Sequence, residues 1–208
     1  SPSSRRVGSV ELKGSQSSIT AVWSLDDHVF QKIGENYLWG NTLALQLRGA
    51  MAKRRGDFGL LSSEFWALCK ELQPVYAYAY AVDEFDAKNM NLTHGARAIG
   101  NDISKHFPGL YWENYFRSDL VNRIWNGMPP LPDCAKTRAI DGLAFNLGES
   151  PYSWTDPLRV QCESKARAML GNNLFFDRAN PEVDGASQLA DLVFFHRAGN
   201  EIFSSRTE

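Results

Sequence analysis

The sequence predicts an α+β fold, a single domain in which a mainly antiparallel sheet packs against several helices. Segments of period-2 alternation and segments of helical spacing interleave without the regular strand–helix–strand beat of a doubly wound parallel sheet. The apolar fraction, 43% of 208 residues with 12% aromatic, is enough to bury one substantial core. No internal repeat or low-complexity linker marks a boundary within residues 19–208.

Taken in order, residues 1–18 are rich in Ser, Gly and Arg without periodicity and read as a flexible tail. Ile19 to Ser24 has the β-branched and aromatic content of a strand, and Leu43, Leu45 and Leu47 alternate with Ala44, Gln46 and Arg48 as in a half-buried strand. Lys53 to Gly56 reads as a polar turn. From Ser62 to Leu72, Phe65, Leu68, Cys69 and Leu72 recur at helical spacing, with a serine as N-cap and Pro74 as terminator. Val75 to Val82 puts Tyr76, Tyr78 and Tyr80 on one side of a strand and alanines on the other, so the tyrosine hydroxyls are expected at the surface.

Farther along, Ala96, Ile99, Ile103 and Phe107 suggest a helix despite Gly95 and Gly100. Ser118 reads as the N-cap of a short helix ended by Gly127 and Pro129-Pro130. Thr137 to Leu147 reads as a strand bent at Gly142. Asp156 as N-cap, Pro157 at N1 and Gly171 past the end delimit a helix with Leu158, Cys162, Ala166 and Met169 on one stripe. "NLFFD" is expected to be a strand, and Leu189 to His196 is apolar without a decisive period.

A net charge of -2, from 22 basic and 24 acidic residues, argues against a nucleic acid as direct partner. Three widely spaced cysteines without a CxxC pair read as buried, reduced thiols. No apolar run approaches the about 20 residues of a membrane span, and no hydrophobic signal segment is evident, so a soluble cytoplasmic protein is expected.

Motifs for catalysis are few. "GDFG" at Gly56 to Gly59 lacks the other parts of a kinase site and reads as a chance match, and neither GxGxxG nor GxxxxGK[ST] occurs. His28, His94, His106 and His196 form no metal-ligand spacing, and no GxSxG is present. No cofactor, metal or catalytic residue is therefore assigned. Asp83, Glu84 and Asp86 follow the tyrosine strand. Carboxylates so placed are able to hold Mg²⁺ or move protons, a solvated strand end is the plainer explanation, and beside tyrosines they also suit docking of a basic protein.

The densest aromatic stretch is "GLYWENYF", Gly109 to Phe116. In an extended conformation Trp112, Asn114 and Phe116 share one side, expected to be core, with the Asn114 amide paired in a loop. Tyr111, Glu113 and Tyr115 share the other, expected to face outward toward a partner.

With this motif, the "FWALCKEL" helix, the "VYAYAYA" strand and the late helix before "FFD", residues 37–177 resemble the immunity protein 52 family of bacterial polymorphic toxin systems. The resemblance implies an α+β cytoplasmic antitoxin that binds and neutralises a cognate toxin domain, commonly a restriction-endonuclease-like nuclease. It brings no catalytic residues, and only Trp112, Asn114, Tyr115 and Phe116 match as motif positions. The candidate partner-binding residues are then Tyr76, Tyr78, Tyr80, Asp83, Glu84, Asp86, Tyr111, Glu113 and Tyr115. The competing expectation is a small-molecule enzyme whose aromatic pocket brings Glu113 to His94 or His106.

Overall fold

A computed structural model describes residues 7–13, 17–24, 31–33, 36–38, 42–47, 58–91, 97–98 and 106–179. The chain divides into two compact units, Ser1–Asp57 and Phe58–Glu208. In the first, the strands are β1 (Val7–Lys13), β2 (Ser17–Ser24), β3 (Gln31–Ile33), β4 (Asn36–Leu38) and β5 (Thr42–Leu47). β1, β2 and β5 form an antiparallel sheet in that order, and β3 pairs with β4. The strands expected around Ile19 and Leu45 are present. Val7–Lys13, which composition assigns to a tail, is instead an outer strand that exchanges backbone hydrogen bonds with its antiparallel partner β2. The turn expected at Lys53 to Gly56 and the apolar run Leu189 to His196 lie outside the described residues.

The second unit has the α+β organisation that the sequence predicts. Its elements begin with α1 (Phe58–Leu72), β6 (Tyr76–Ala79), α2 (Val82–Asn89), β7 (Met90–Asn91), β8 (Arg97–Ala98) and β9 (Glu113–Phe116). They continue with α3 (Ser118–Trp125), β10 (Lys136–Thr137), β11 (Leu143–Asn146) and α4 (Pro157–Leu170), with short 3-10 turns at Pro151–Ser153 and Asn172–Leu174. The main sheet is antiparallel in the order β10-β11-β9-β6.

Its register explains both faces. Tyr76, Phe116 and Leu143 stand in one row and Tyr78, Asn114 and Phe145 in the next, all on the same face. That face holds the larger core, where Phe107, Phe116, Val121, Leu143 and Phe145 pack with Cys162, Ala166 and Leu170 of α4. On the opposite face Ala77, Tyr115 and Ala144 form a row beneath Trp66 and Cys69 of α1. The alanines admit the helix closely, as the small side of the tyrosine strand foretells.

Local signals explain the element ends. Asp156 Oδ1 accepts from Leu158 N at 2.8 Å, Pro157 occupies N1 and Gly171, at φ 108°, stops α4 as expected. α1 stops where Gln73 turns left-handed at φ 45°, ahead of Pro74. Gly142, at φ 96°, makes the bend between β10 and β11, and a Cβ there would sit 2.3 Å from the Phe116 carbonyl oxygen. Only glycine fits that approach.

Several expectations are corrected. α1 begins at Phe58, so Ser62 is inside the helix, and the buried face is Ser62, Trp66 and Cys69 while Leu72 is 55% exposed. Val82 belongs to α2 and not to the tyrosine strand. Ser118 is the first residue of α3 and Arg117 its cap position. Of the helix expected through Ala96, Ile99, Ile103 and Phe107, the first three residues lie outside the described residues, Arg97–Ala98 is a strand, and Phe107 forms a parallel bridge opposite Phe175, donating from N to Leu174 O at 2.7 Å and accepting at O from Phe176 N at 2.8 Å. "NLFFD" opens with a 3-10 turn because Gly171 redirects the chain. Cys134 and Cys162 are joined in a disulfide and are not the reduced thiols expected, whereas Cys69 is a buried free thiol.

Candidate functional site

The stretch Gly109 to Phe116 is buried throughout, which overturns the expectation that Tyr111, Glu113 and Tyr115 face outward. The alternation itself holds for the strand, but α1 covers the side that sequence patterning leaves to solvent. Tyr111 precedes the strand and follows neither face rule. Its ring stacks on Tyr78 at 4.7 Å, and its hydroxyl donates to Asn89 Oδ1.

Asn114 is structural in the way expected: Tyr111 N donates to its Oδ1 at 2.9 Å, and its Nδ2 donates to Tyr111 O at 2.8 Å. The side-chain amide thus replaces the strand partner that the two backbone groups of Tyr111 lack. Trp112 is buried as well, donating from Nε1 to Gly148 O at 3.0 Å with Phe58 at its edge.

The tyrosine strand forms an aromatic ladder. Tyr76, Tyr78 and Tyr80 lie 5.2 and 5.5 Å apart in succession, and Tyr80 continues onto Phe85 of α2 at 4.9 Å. Tyr76 points into the larger core against Phe107 and Phe116, and its hydroxyl donates to Gly109 O at 3.0 Å. Burial pushes the phenols of Tyr76, Tyr78, Tyr80 and Tyr111 upward, so they stay neutral. Of the three tyrosines Tyr80 is exposed, at 38%, while Tyr76 and Tyr78 are half-buried and support it from beneath.

The acidic cluster divides in the same manner. Asp83 and Asp86 are exposed on α2, next to Val82 at 63% exposure, whereas Glu84 is completely buried. Glu84 Oε1 accepts from Lys88 Nζ at 2.7 Å and from Arg159 Nη2 at 3.3 Å. Glu163 Oε2 accepts from the same two cations at 2.8 and 3.1 Å. Lys88 makes its third bond to Leu110 O at 2.8 Å, 5.1 Å from the Tyr111 ring centre. Burial raises the Glu84 carboxyl, and Lys88 and Arg159 oppose that rise. The closed arrangement of two acids and two bases fastens α2 to α4, and leaves Glu84 unable to meet a partner.

Glu113 occupies a second polar site, under α1. Ser62 Oγ donates to its Oε1 at 2.6 Å, and accepts from Trp66 Nε1 at 3.1 Å and Arg138 Nη2 at 3.3 Å. Burial is the largest cause pushing the carboxyl up, to about 7, against the lowering effects of Ser62, Arg138 and Asn146. The neighbouring Cys69 thiol is pushed to about 12 by burial and by Glu113, and is unreactive while covered.

Sequence reasoning missed Ser62, Lys88, Arg138, Arg159 and Glu163. The pairs Glu84/Lys88 and Arg159/Glu163 have i,i+4 spacing, a signal that was present; Ser62 and Glu113 are 51 residues apart and carry none. His106 is buried against Phe176, while His94 lies outside the described residues. A groove of about 500 Å³ is lined by Lys88, Trp154, Val160, Glu163 and Arg167, among others, and by none of the candidate residues. Among the described residues no cluster of His, Cys, Asp or Glu is arranged to hold a metal ion, and no helix is long and apolar enough to cross a membrane. Comparison with protein-family models, curated proteins and solved structures gives no significant match.

Proposed function

We propose that this chain is an immunity protein that binds and neutralises a cognate toxin domain, and that the junction of β6 and α2 meets the toxin. The observation that supports the reading is the group Tyr80, Val82, Asp83 and Asp86, where an exposed aromatic and an exposed aliphatic side chain adjoin two exposed carboxylates. Tyr80 is held between Tyr78 and Phe85, so docking freezes few rotamers. Carboxylates beside it steer a basic surface such as the phosphate-binding side of a nuclease, and the aromatic supplies contact area. Tyr111, Glu113, Tyr115 and Glu84 leave the candidate interface because they are buried. The disulfide favours an encounter in a compartment that permits disulfides over the cytoplasm.

The test is co-expression with the toxin encoded by the adjoining gene, followed by titration of the purified pair. Growth rescue and a stable complex are expected, with binding weakened at least about 30-fold, or ~2 kcal/mol, by the double substitution Tyr80→Ala, Asp83→Lys. Unchanged affinity would reject this surface. Absence of both rescue and complex would reject the function.

A further inference from the structure

Glu113 and Asn146 are Cα partners across β9 and β11, and both side chains are buried. Glu113 Oε2 and Asn146 Oδ1 each lack a hydrogen-bond partner, on residues whose side chains leave the same face of the sheet, and the Asn146 amide offsets the rise of the Glu113 carboxyl only in part. Glu113 Oε1 is differently placed, since it takes the short bond from Ser62 of α1. A proton on Oε2 turns one of the two orphan acceptors into a donor and removes the charge from a site that water does not reach.

The groups facing this carboxyl compensate a charge weakly. α1 contributes Ser62, Trp66 and Cys69, the last a thiol that remains neutral. Arg138, from the segment between β10 and β11, is an exposed residue and places Nη2 on the Ser62 hydroxyl. β11 contributes the Asn146 amide, and on β6 the register partner is Ala79. Glu84, equally buried, has Lys88 and Arg159 on one of its oxygens. The apolar cluster beneath α1 is small, consisting of Trp66, Cys69, Tyr115 and Ala144 with half-buried neighbours, while Leu68 and Leu72 of the helix remain exposed.

We infer that Glu113 is a proton-operated latch: it stays under α1 as a neutral acid, and its ionisation, which leaves beneath the helix a charge that the Ser62 bond offsets only in part, loosens α1 while the α3 and α4 side stays packed. When α1 lifts, the carboxyl regains water and its ordinary acidity, so opening is favoured at every pH above that ordinary value until the closed state is itself ionised.

Cys69 reports the opening. It is the free cysteine of the chain, 2% exposed beneath α1. The rate at which dithiodipyridine modifies Cys69, divided by its rate with an unhindered model thiol, measures the open fraction. With the carboxyl at about 7 closed and 4.5 open, that ratio rises roughly 70-fold from about pH 5 to about pH 8. In Glu113→Gln, which keeps a donor in place and cannot ionise, the ratio stays level. A level ratio in the parent, or an equal rise in Glu113→Gln, would overturn the latch.

A measurement on the parent alone covers the case of a variant that fails to fold. Amide hydrogen exchange, corrected for base catalysis, is expected to show α1 losing protection relative to α4 over the same pH interval. Parallel behaviour of the two helices would equally overturn it.

Discussion

Replacing Cys134 by Ser removes the Cys134–Cys162 cross-link with little other disturbance. Cys134 is exposed, and the Cys162 left behind is a small thiol that suits its buried place among Ala166 and Leu170. The cystines are 28 residues apart, for which the chain-entropy relation gives a loss of about 3.6 kcal/mol at 25 °C. For a chain of this size, that corresponds to a fall in Tm of roughly 7–14 °C. Urea denaturation with fluorescence detection, and thermal melts under the same buffer, measure both. Dithiothreitol should reproduce the loss in the parent and leave Cys134→Ser unaffected. Titration of the denatured, unreduced chain should find one thiol, that of Cys69, among its three cysteines. Three thiols, or a loss of under about 1 kcal/mol together with an unchanged response to reductant, would refute the reasoning.

Glu113 gives a pH signature for global stability. Its carboxyl is raised above the ordinary 4.5 to about 7 in the folded chain, so its contribution is full below about pH 4.5 and is lost as the pH rises through 7. The loss totals roughly 3 kcal/mol, and denaturation of Glu113→Gln should show no such fall. Asp119 has the opposite sign: Arg117 holds it at about 2, so its contribution disappears on acidification below the ordinary carboxylate range, a limb that Asp119→Asn should flatten in the same titrations. Lys88→Met leaves Glu84 and Glu163 to share Arg159 and should cost about 3 kcal/mol by chemical denaturation, with partial recovery on adding Glu84→Gln. Gly142→Ala drives a methyl against the Phe116 carbonyl and should cost at least ~2 kcal/mol by the same measurement, through strain at a positive φ and displacement of the sheet.

How well the sequence can be read differs between elements for physical reasons. The limits of α4 were legible because Asp156, Pro157 and Gly171 act locally, through caps and backbone freedom. Its buried stripe was legible only in its middle: Cys162 and Ala166 are buried as expected, whereas Leu158 is 77% exposed, Met169 is exposed, and Arg159 and Leu170 are inside. α1 repeats the error, with Ser62 inside and Leu72 outside. In both helices an apolar-inward rule finds part of the buried face, Cys69 in one and Cys162 and Ala166 in the other, and misses the rest because a buried polar side chain has a partner far away in the chain, Glu84 for Arg159 and Glu113 for Ser62. The inward and outward sides of "GLYWENYF" were separated correctly within β9, and the error was to leave one side open. Alternation tells which residues share a face, but not whether a helix covers it. The surface group at Tyr80 was legible because it rests on adjoining residues, whereas the Glu84 and Glu113 sites need contacts across 75 and 51 positions.

The cystine also alters the order in which the second unit can assemble. Its covalent ring spans Cys134 to Cys162 and contains both β10 and β11, so this hairpin and the first turns of α4 are neighbours even in the unfolded, oxidised chain. Their encounter no longer requires closing a long loop, unlike that of β6 with β9, which joins Tyr76 to Phe116. Oxidised chains should therefore build the hairpin and α4 as an early nucleus, on which β9, β6 and finally α1 condense. Reduced chains must find both pairings by diffusion, and fold more slowly for that reason.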